Sequence, residues 1–326
     1  MRINGFIKKV AIFSLCLPII WVLGVCLYGS IFPRYLQKNL VKGMAREFTI
    51  NRLLEADTVK NVDVLVLGSS HAYRGFDPRI FEEHGIRMFN IGTSAQTAIQ
   101  TEYLVNKYID KIKPKMVIYE ASYMNLTGDG LESALDLYYS IGKPDEELLN
   151  MVLKINKIKS YNTFLFGLYE KYIRKREKQK VNFKTASNTY ITGGFVETRL
   201  ATDINKQKAI LTNQRKIKAL YRDMQIEAFK ATMEALKKRD IQTIIVQAPV
   251  LKDTYESISN QGEIDAFFSS FKGIPYLKYN KTLSLPSDDF YDDHHLNQKG
   301  VQAFNRKLIK DLNTVHADTM VSLSGN

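Results

Sequence analysis

Two short stretches of this chain combine residue types that could do covalent chemistry. Gly68-Ser69-Ser70-His71 sets two hydroxyls directly after an apolar run, Val62 to Leu67. Tyr291-Asp292-Asp293-His294-His295-Leu296-Asn297 places a carboxylate three residues before a histidine. At that spacing the two side chains can share one turn. The carboxylate then accepts from one ring nitrogen and leaves the other free to act as a base toward a serine. A serine in a tight turn at a strand end keeps its hydroxyl exposed, and a helix N-terminus behind it favours the negative charge of an acyl-transfer oxyanion. Each stretch also has a plainer reading. Ser69 or Ser70 could cap a helix, and the acidic stretch could be a solvated helix start with Asn297 as its cap. His71, Asp292, Asp293, His294 and His295 could all ligate a metal, but no spaced second cluster supports such a site. No metal and no cofactor is expected.

The elements that must position these residues are legible in outline. Val62 to Leu67, Ile86 to Ile91 and Lys115 to Tyr119 read as buried strands, with a helix over Thr97 to Ile112. Strand, loop, helix and strand at this spacing argue for βαβ units and an α/β fold with a parallel sheet. Ile241 to Gln247 reads as a further strand and Pro275 to Tyr279 as a short one. Helices are expected over Pro33 to Asp57, around Glu147 to Lys180, and over Ile204 to Lys238, Thr254 to Phe271 and Asn297 to Val315. The polar segment around Gly193-Gly194 marks a turn or flexible loop. Residues from about 126 to 203 read as an insertion or cap over the sheet, and the sequence shows no internal repeat.

Taken together, the two chemical stretches resemble the SGNH (GDSL) hydrolase family. GSSH at 68 to 71 is similar to its first block, with Ser70 in the nucleophile position. DDHHLN at 292 to 297 is similar to its last block, D-x-x-H-L-N, with Asp292 and His295 as triad partners. Asn90-Ile91-Gly92-Thr93-Ser94-Ala95 resembles the second block, with Ala95 where the oxyanion glycine usually stands. The third block, G-x-N-D, is matched only by the nearby amide of Asn125. The resemblance implies a three-layer, flavodoxin-like parallel sheet over residues 61 to 316, a Ser70–His295–Asp292 triad, and an oxyanion hole from Ser70, Ala95 and Asn125. With its apolar N-terminal segment and insertion, the chain is similar to the membrane-anchored proteins that acylate alginate and teichoic acid. That likeness implies an esterase or O-acyltransferase acting on cell-envelope carbohydrate, with a membrane-bound acyltransferase as a further candidate partner. The alternative is a non-catalytic accessory or glycan-binding protein. Tyr161, Phe164, Phe166, Tyr169 and Tyr172 could stack on sugars, although their spacing also suits a packed helix face.

The chain has 326 residues and a net charge of +12. Val10 to Ile31 contains no charged residue and is long enough to cross a hydrocarbon core of about 30 Å. Arg2, Lys8 and Lys9 precede it and Arg34 and Lys38 follow, which favours a cytoplasmic stretch over residues 1–9 and an extracytoplasmic main domain. A cleaved signal peptide is the competing reading. Cys16 and Cys26 both lie in this segment, so cysteine chemistry is excluded from the rest of the chain. The basic run Lys171 to Lys180 reads as a solvated helix face, and an anchored domain makes a membrane surface a better partner than nucleic acid. The protein is expected to stay with membranes through salt and carbonate washing. Recovery of a soluble form beginning near residue 30 would establish the signal peptide instead.

Overall fold

The computed structural model describes residues 3–43, 48–141, 143–175, 181–200 and 216–323. Among these described residues seven strands run in chain order: β1 (Val64–Leu67), β2 (Met88–Asn90), β3 (Met116–Glu120), β4 (Asn188–Ile191), β5 (Phe195–Thr198), β6 (Gln242–Gln247) and β7 (Tyr276–Lys278). The backbone divides into two compact units. One comprises Met1–Ala45 with Ala134–Lys180, and the other Arg46–Ser133 with Val181–Asn326.

The larger unit holds a five-stranded sheet in the order β2-β1-β3-β6-β7, every pairing parallel. Leaving aside the separate β4-β5 hairpin, this is the flavodoxin-like order 2-1-3-4-5, whose direction reverses between β1 and β3. Why the strands are parallel follows from their composition. β1 and β3 are buried at every residue, and strands covered on both faces need helical crossovers. Val64, Val66, Met116, Ile118, Ile244 and Val246 point into one core, with Phe304, Leu308 and Leu312 of the helix Gln298–Leu323. Alternate residues serve the other face, where Tyr119 meets Phe229 of the helix Asp223–Lys238 at 4.7 Å between ring centroids. The result is a three-layer α/β fold.

The helices depart from the sequence expectations where backbone geometry intervenes. Of the helix expected over Pro33 to Asp57, the described residues show a 3-10 turn at Arg34–Leu36 and a helix at Thr49–Ala56, with 44–47 outside them. After that turn, Gln37 donates to the carbonyls of Tyr28, Gly29 and Phe32 and ties the chain back to the end of the preceding helix. The stretch around Glu147 to Lys180 is two helices, Glu146–Ile155 and Ile158–Tyr172, separated at Asn156, whose φ is 47°. Residues 176–180 of the basic run lie outside the described residues. Of the helix expected over Ile204 to Lys238, residues 204–215 lie outside the described residues, 216–222 are not helical, and Asp223–Lys238 is a helix. The Thr254 to Phe271 helix is broken into Lys252–Ser257 and Gln261–Ser269. At the break Ile217 donates to the Ser257 carbonyl and Ser259 donates to that of Ile217, so a distant chain segment replaces the helical bonds. The polar segment around Gly193-Gly194 is a hairpin, with both glycines at positive φ in its turn.

The smaller unit is helical. Its first helix, Ile3–Ile31, contains one stretch, Gly5–Ile31, that is long and apolar enough to cross a membrane. Val25 of that helix packs with Leu40 and Phe166. The stretch expected as one insertion therefore divides: Ala134–Lys180 groups with the N-terminal helix, and the β4-β5 hairpin belongs to the α/β unit.

Candidate active site

β1 ends at Leu67, and Gly68 turns the chain into a short helix, Ser70–Gly75. Gly68 has φ 141°, and a Cβ there would lie 2.8 Å from the Glu120 Cβ. Only glycine fits this elbow, which is why the hydroxyls emerge at the carboxyl edge of the sheet. The two serines then diverge. Ser69 is buried and its Oγ donates to Glu120 Oε2 at 3.5 Å. Ser70 Oγ instead lies 2.8 Å from His295 Nε2, although 225 positions separate them in the chain.

His295 is held by Asp292 in the turn before the last helix. Its Nδ1 is 2.8 Å from Asp292 Oδ2 and 3.1 Å from Oδ1. The backbone N–H groups of His294 and His295 donate to the same carboxylate at 2.9 and 2.7 Å. Burial alone would raise this carboxyl. The His295 ring and the two N–H groups outweigh it and hold Asp292 at about 2. Asp292 is therefore ionised at neutral pH, and its contact with Nδ1 leaves Nε2 facing Ser70. Tyr291 stacks on the His295 ring at 5.4 Å, with the two ring planes almost parallel. His294 also lines the cleft, but its Nε2 lies 3.1 Å from Asp293 Oδ2. Asn297 caps the last helix, accepting from the N–H groups of Lys299 and Gly300.

The remaining residues expected from sequence fall on both sides of the cleft wall. Ser70 and Ala95 border an open cleft of about 420 Å³, together with Gln96, Thr97, Thr127, Asp129, Glu132 and His295. Ala95 adopts φ 50°, the left-handed conformation that a glycine takes without cost. Asn90 is fully buried and fastens this loop to the elbow, donating to the Ala72 carbonyl and accepting from the Gly92 N–H. Asn125 is also buried. Its amide donates to the Gln96 carbonyl and accepts from the Ser122 N–H, and it is not among the residues lining the cleft.

Sequence reasoning gave no role to Glu120 or to a Glu120–His71 pair. Glu120 ends β3 and is 1% exposed, and its Oε1 lies 3.7 Å from His71 Nδ1. The His71 ring is 5.2 Å from the His295 ring. Burial pushes the Glu120 carboxyl up to about 8, against the opposing hydrogen bonds from Ser69. Burial likewise holds His71 well below the ordinary histidine value, and His295 and His294 push it the same way. Both shifts favour the uncharged forms of the two side chains behind the triad. The available signal was a carboxylate closing an apolar strand at the sheet edge where the site is built.

No family model matches the chain, and no curated protein matches it. Among solved structures, it is similar to a protein of Bacteroides fragilis NCTC 9343 assigned as an acylhydrolase. That match has a TM-score of 0.43 and 11% identity, over 84% of this chain and 99% of that one. A GDSL-like lipase from Bacteroides thetaiotaomicron VPI-5482 gives a TM-score of 0.40 and 14% identity, over 82% and 100%. Likenesses this slight carry no argument about chemistry, which rests on the geometry above.

The neutral Glu120 has a thermodynamic signature. The folded state keeps a proton that the unfolded chain releases near the ordinary value of 4.5. The stabilisation from this site is therefore complete below about pH 4.5 and is lost as pH rises to about 8. Glu120→Gln preserves the neutral shape. Its melting temperature should fall less than that of the wild type between about pH 5 and about pH 8. Identical pH slopes would mean that Glu120 is already ionised in the folded protein.

Proposed function

We propose that this chain is a serine esterase or O-acyltransferase of the SGNH type, anchored by its N-terminal helix and acting on acylated cell-envelope carbohydrate. The observation that carries the proposal is the continuous relay from Ser70 Oγ through His295 to Asp292, with 2.8 Å at each step. Ser70 attacks the acyl carbonyl while His295 Nε2 takes its proton, and Asp292 stabilises the imidazolium that forms. The backbone N–H groups of Ser70 and Ala95 are the candidate donors to the oxyanion. Collapse of the tetrahedral intermediate breaks the ester bond, and His295 returns its proton to the departing alcohol. The acyl-serine is then released by a second attack, in which His295 deprotonates the incoming hydroxyl. Water gives the esterase and a sugar hydroxyl gives the transferase. The first half-reaction is common to both.

Gln96 and Thr97 are buried and bonded within their own segment, while Thr127, Asp129 and Glu132 bring hydroxyl and carboxylate groups to the cleft, which supports a hydroxylated ligand. A non-catalytic accessory role draws on one observation, the commitment of the Asn125 amide to the backbone. Loss of one oxyanion donor typically costs about 10²–10³ in rate, which slows such a site without abolishing it.

A fluorophosphonate probe should label the wild type at Ser70 and leave Ser70→Ala unlabelled, with the fold of the variant intact. Labelling at Ser69 would overturn the assignment, and no labelling at either serine would favour the accessory role.

The two histidines are separated by a parallel comparison. His295→Ala should lose ester hydrolysis by about 10³-fold or more. His294→Ala should retain most of it, because its ring faces Asp293. A greater loss from His294→Ala would show that the base has been misassigned.

A further inference from the structure

The smaller unit carries a feature that the proposed chemistry does not use. The helix Ile158–Tyr172 runs alongside the outer part of the N-terminal helix and in the same direction. Near its start, Asn162 Oδ1 accepts from Trp21 Nε1 at 3.0 Å, and the Tyr161 ring meets Trp21 edge-on at 6.2 Å. Further along, Phe166 packs with Val25, and its ring occupies the space where Gly29 would carry a side chain. Leu40 closes the same cluster from the returning chain, and Asn162 donates to the Asn39 carbonyl. Trp21 to Gly29 thus sits in a partial collar, covered on the face of Val25 and Gly29 while Leu23 and Leu27 stay 64% and 60% exposed.

That collar conflicts with the length a bilayer requires. The eleven uncharged residues from Val10 to Ile20 rise only about 16 Å, against a hydrocarbon core of about 30 Å. A full span must either take in the collared residues or draw Lys8 and Lys9 inward. Gln37, Asn39 and Asn162 oppose deep immersion of the collar. Lys8 and Lys9 can reach the inner surface through their long stems. The balance sets Trp21 at the outer interface, where tryptophan is favoured.

The parallel direction fixes what lies deeper still. Ile158 precedes Asn162 by one helical turn, about 6 Å toward the membrane. It belongs to the tip of a helical hairpin whose first arm is Glu146–Ile155. This tip exposes large apolar side chains, Leu153 at 54% and Ile158 at 60%, beside Lys154, Lys157 and Lys159. Apolar side chains ringed by lysines are the pattern of a segment lying at the boundary between acyl chains and anionic headgroups.

We infer that the hairpin tip from Leu153 to Lys159 is a second membrane contact, inserting Leu153 and Ile158 into the outer leaflet and setting its lysines among anionic headgroups. The inference rests on the N-terminal helix being a membrane anchor. A fluorescent NBD label at Ile158→Cys reports on it, in the full-length chain with Cys16→Ser and Cys26→Ser. The protein is reconstituted in phosphatidylcholine vesicles containing roughly one-third phosphatidylglycerol. A label at exposed Lys237→Cys, in the helix Asp223–Lys238, is the control. Emission at Ile158 should shift to the blue, and spin-labelled lipid should quench it at least about twofold more than the control. Control-like emission in vesicles that retain the protein through carbonate overturns the second contact and leaves the anchor standing. A blue-shifted label that lipid does not quench also overturns it, because protein then covers the tip. Extraction of the whole chain by carbonate removes the anchor and the inference together.

Discussion

The site depends on one contact, the 2.8 Å approach of Ser70 Oγ to His295 Nε2 across 225 positions of chain. Neither group can deliver itself there. Ser70 is placed by an elbow that only Gly68 permits, on a strand buried along its whole length. His295 is placed by a turn folded around one carboxylate, which satisfies two backbone N–H groups and the ring together. The parallel sheet brings the two local devices to the same edge. The core shared by Val64, Val66, Phe304 and Leu308 fixes the last helix against the first strand. A shift of about 1 Å in that packing would break the contact without touching either Ser70 or His295.

What could be read in the sequence were features written locally. Leu65 to Leu67 followed by Gly68-Ser69-Ser70 announces a strand and its exposed turn. Asp292 and His295 announce a shared turn by spacing alone. Strands β1, β2 and β6 follow from largely apolar runs closed by Gly68, Gly92 and Pro249, and β3 from one opened by Pro114. The choice of Ser70 over Ser69 came only from a family register, and the structure supplies the physical difference: one hydroxyl turns to Glu120 and the other to His295.

What stayed hidden were features written by partners distant in the chain. The break at Ile258 depends on backbone bonds to Ile217, which no helical periodicity reports. The hairpin around Gly193-Gly194 was legible as a turn but not as strands, because Asn188 to Ile191 alternates too briefly. Glu120 is a polar residue whose neutrality comes entirely from what surrounds it, and composition cannot show that. Ala95 is the reverse case. Its departure from glycine was visible in the sequence, while its left-handed φ, which keeps the loop in shape, was not.

The placement of the base also has a consequence for biosynthesis. A ribosome completes the nucleophile elbow, the sheet order and most of the core before it reaches Asp292 and His295. Throughout that interval the emerging polypeptide carries a serine with no proton acceptor. The last helix covers the sheet, and the turn that holds Asp292 and His295 directly precedes it. Polypeptides released before Asp292 and His295 are made therefore hold Ser70 without its imidazole neighbour.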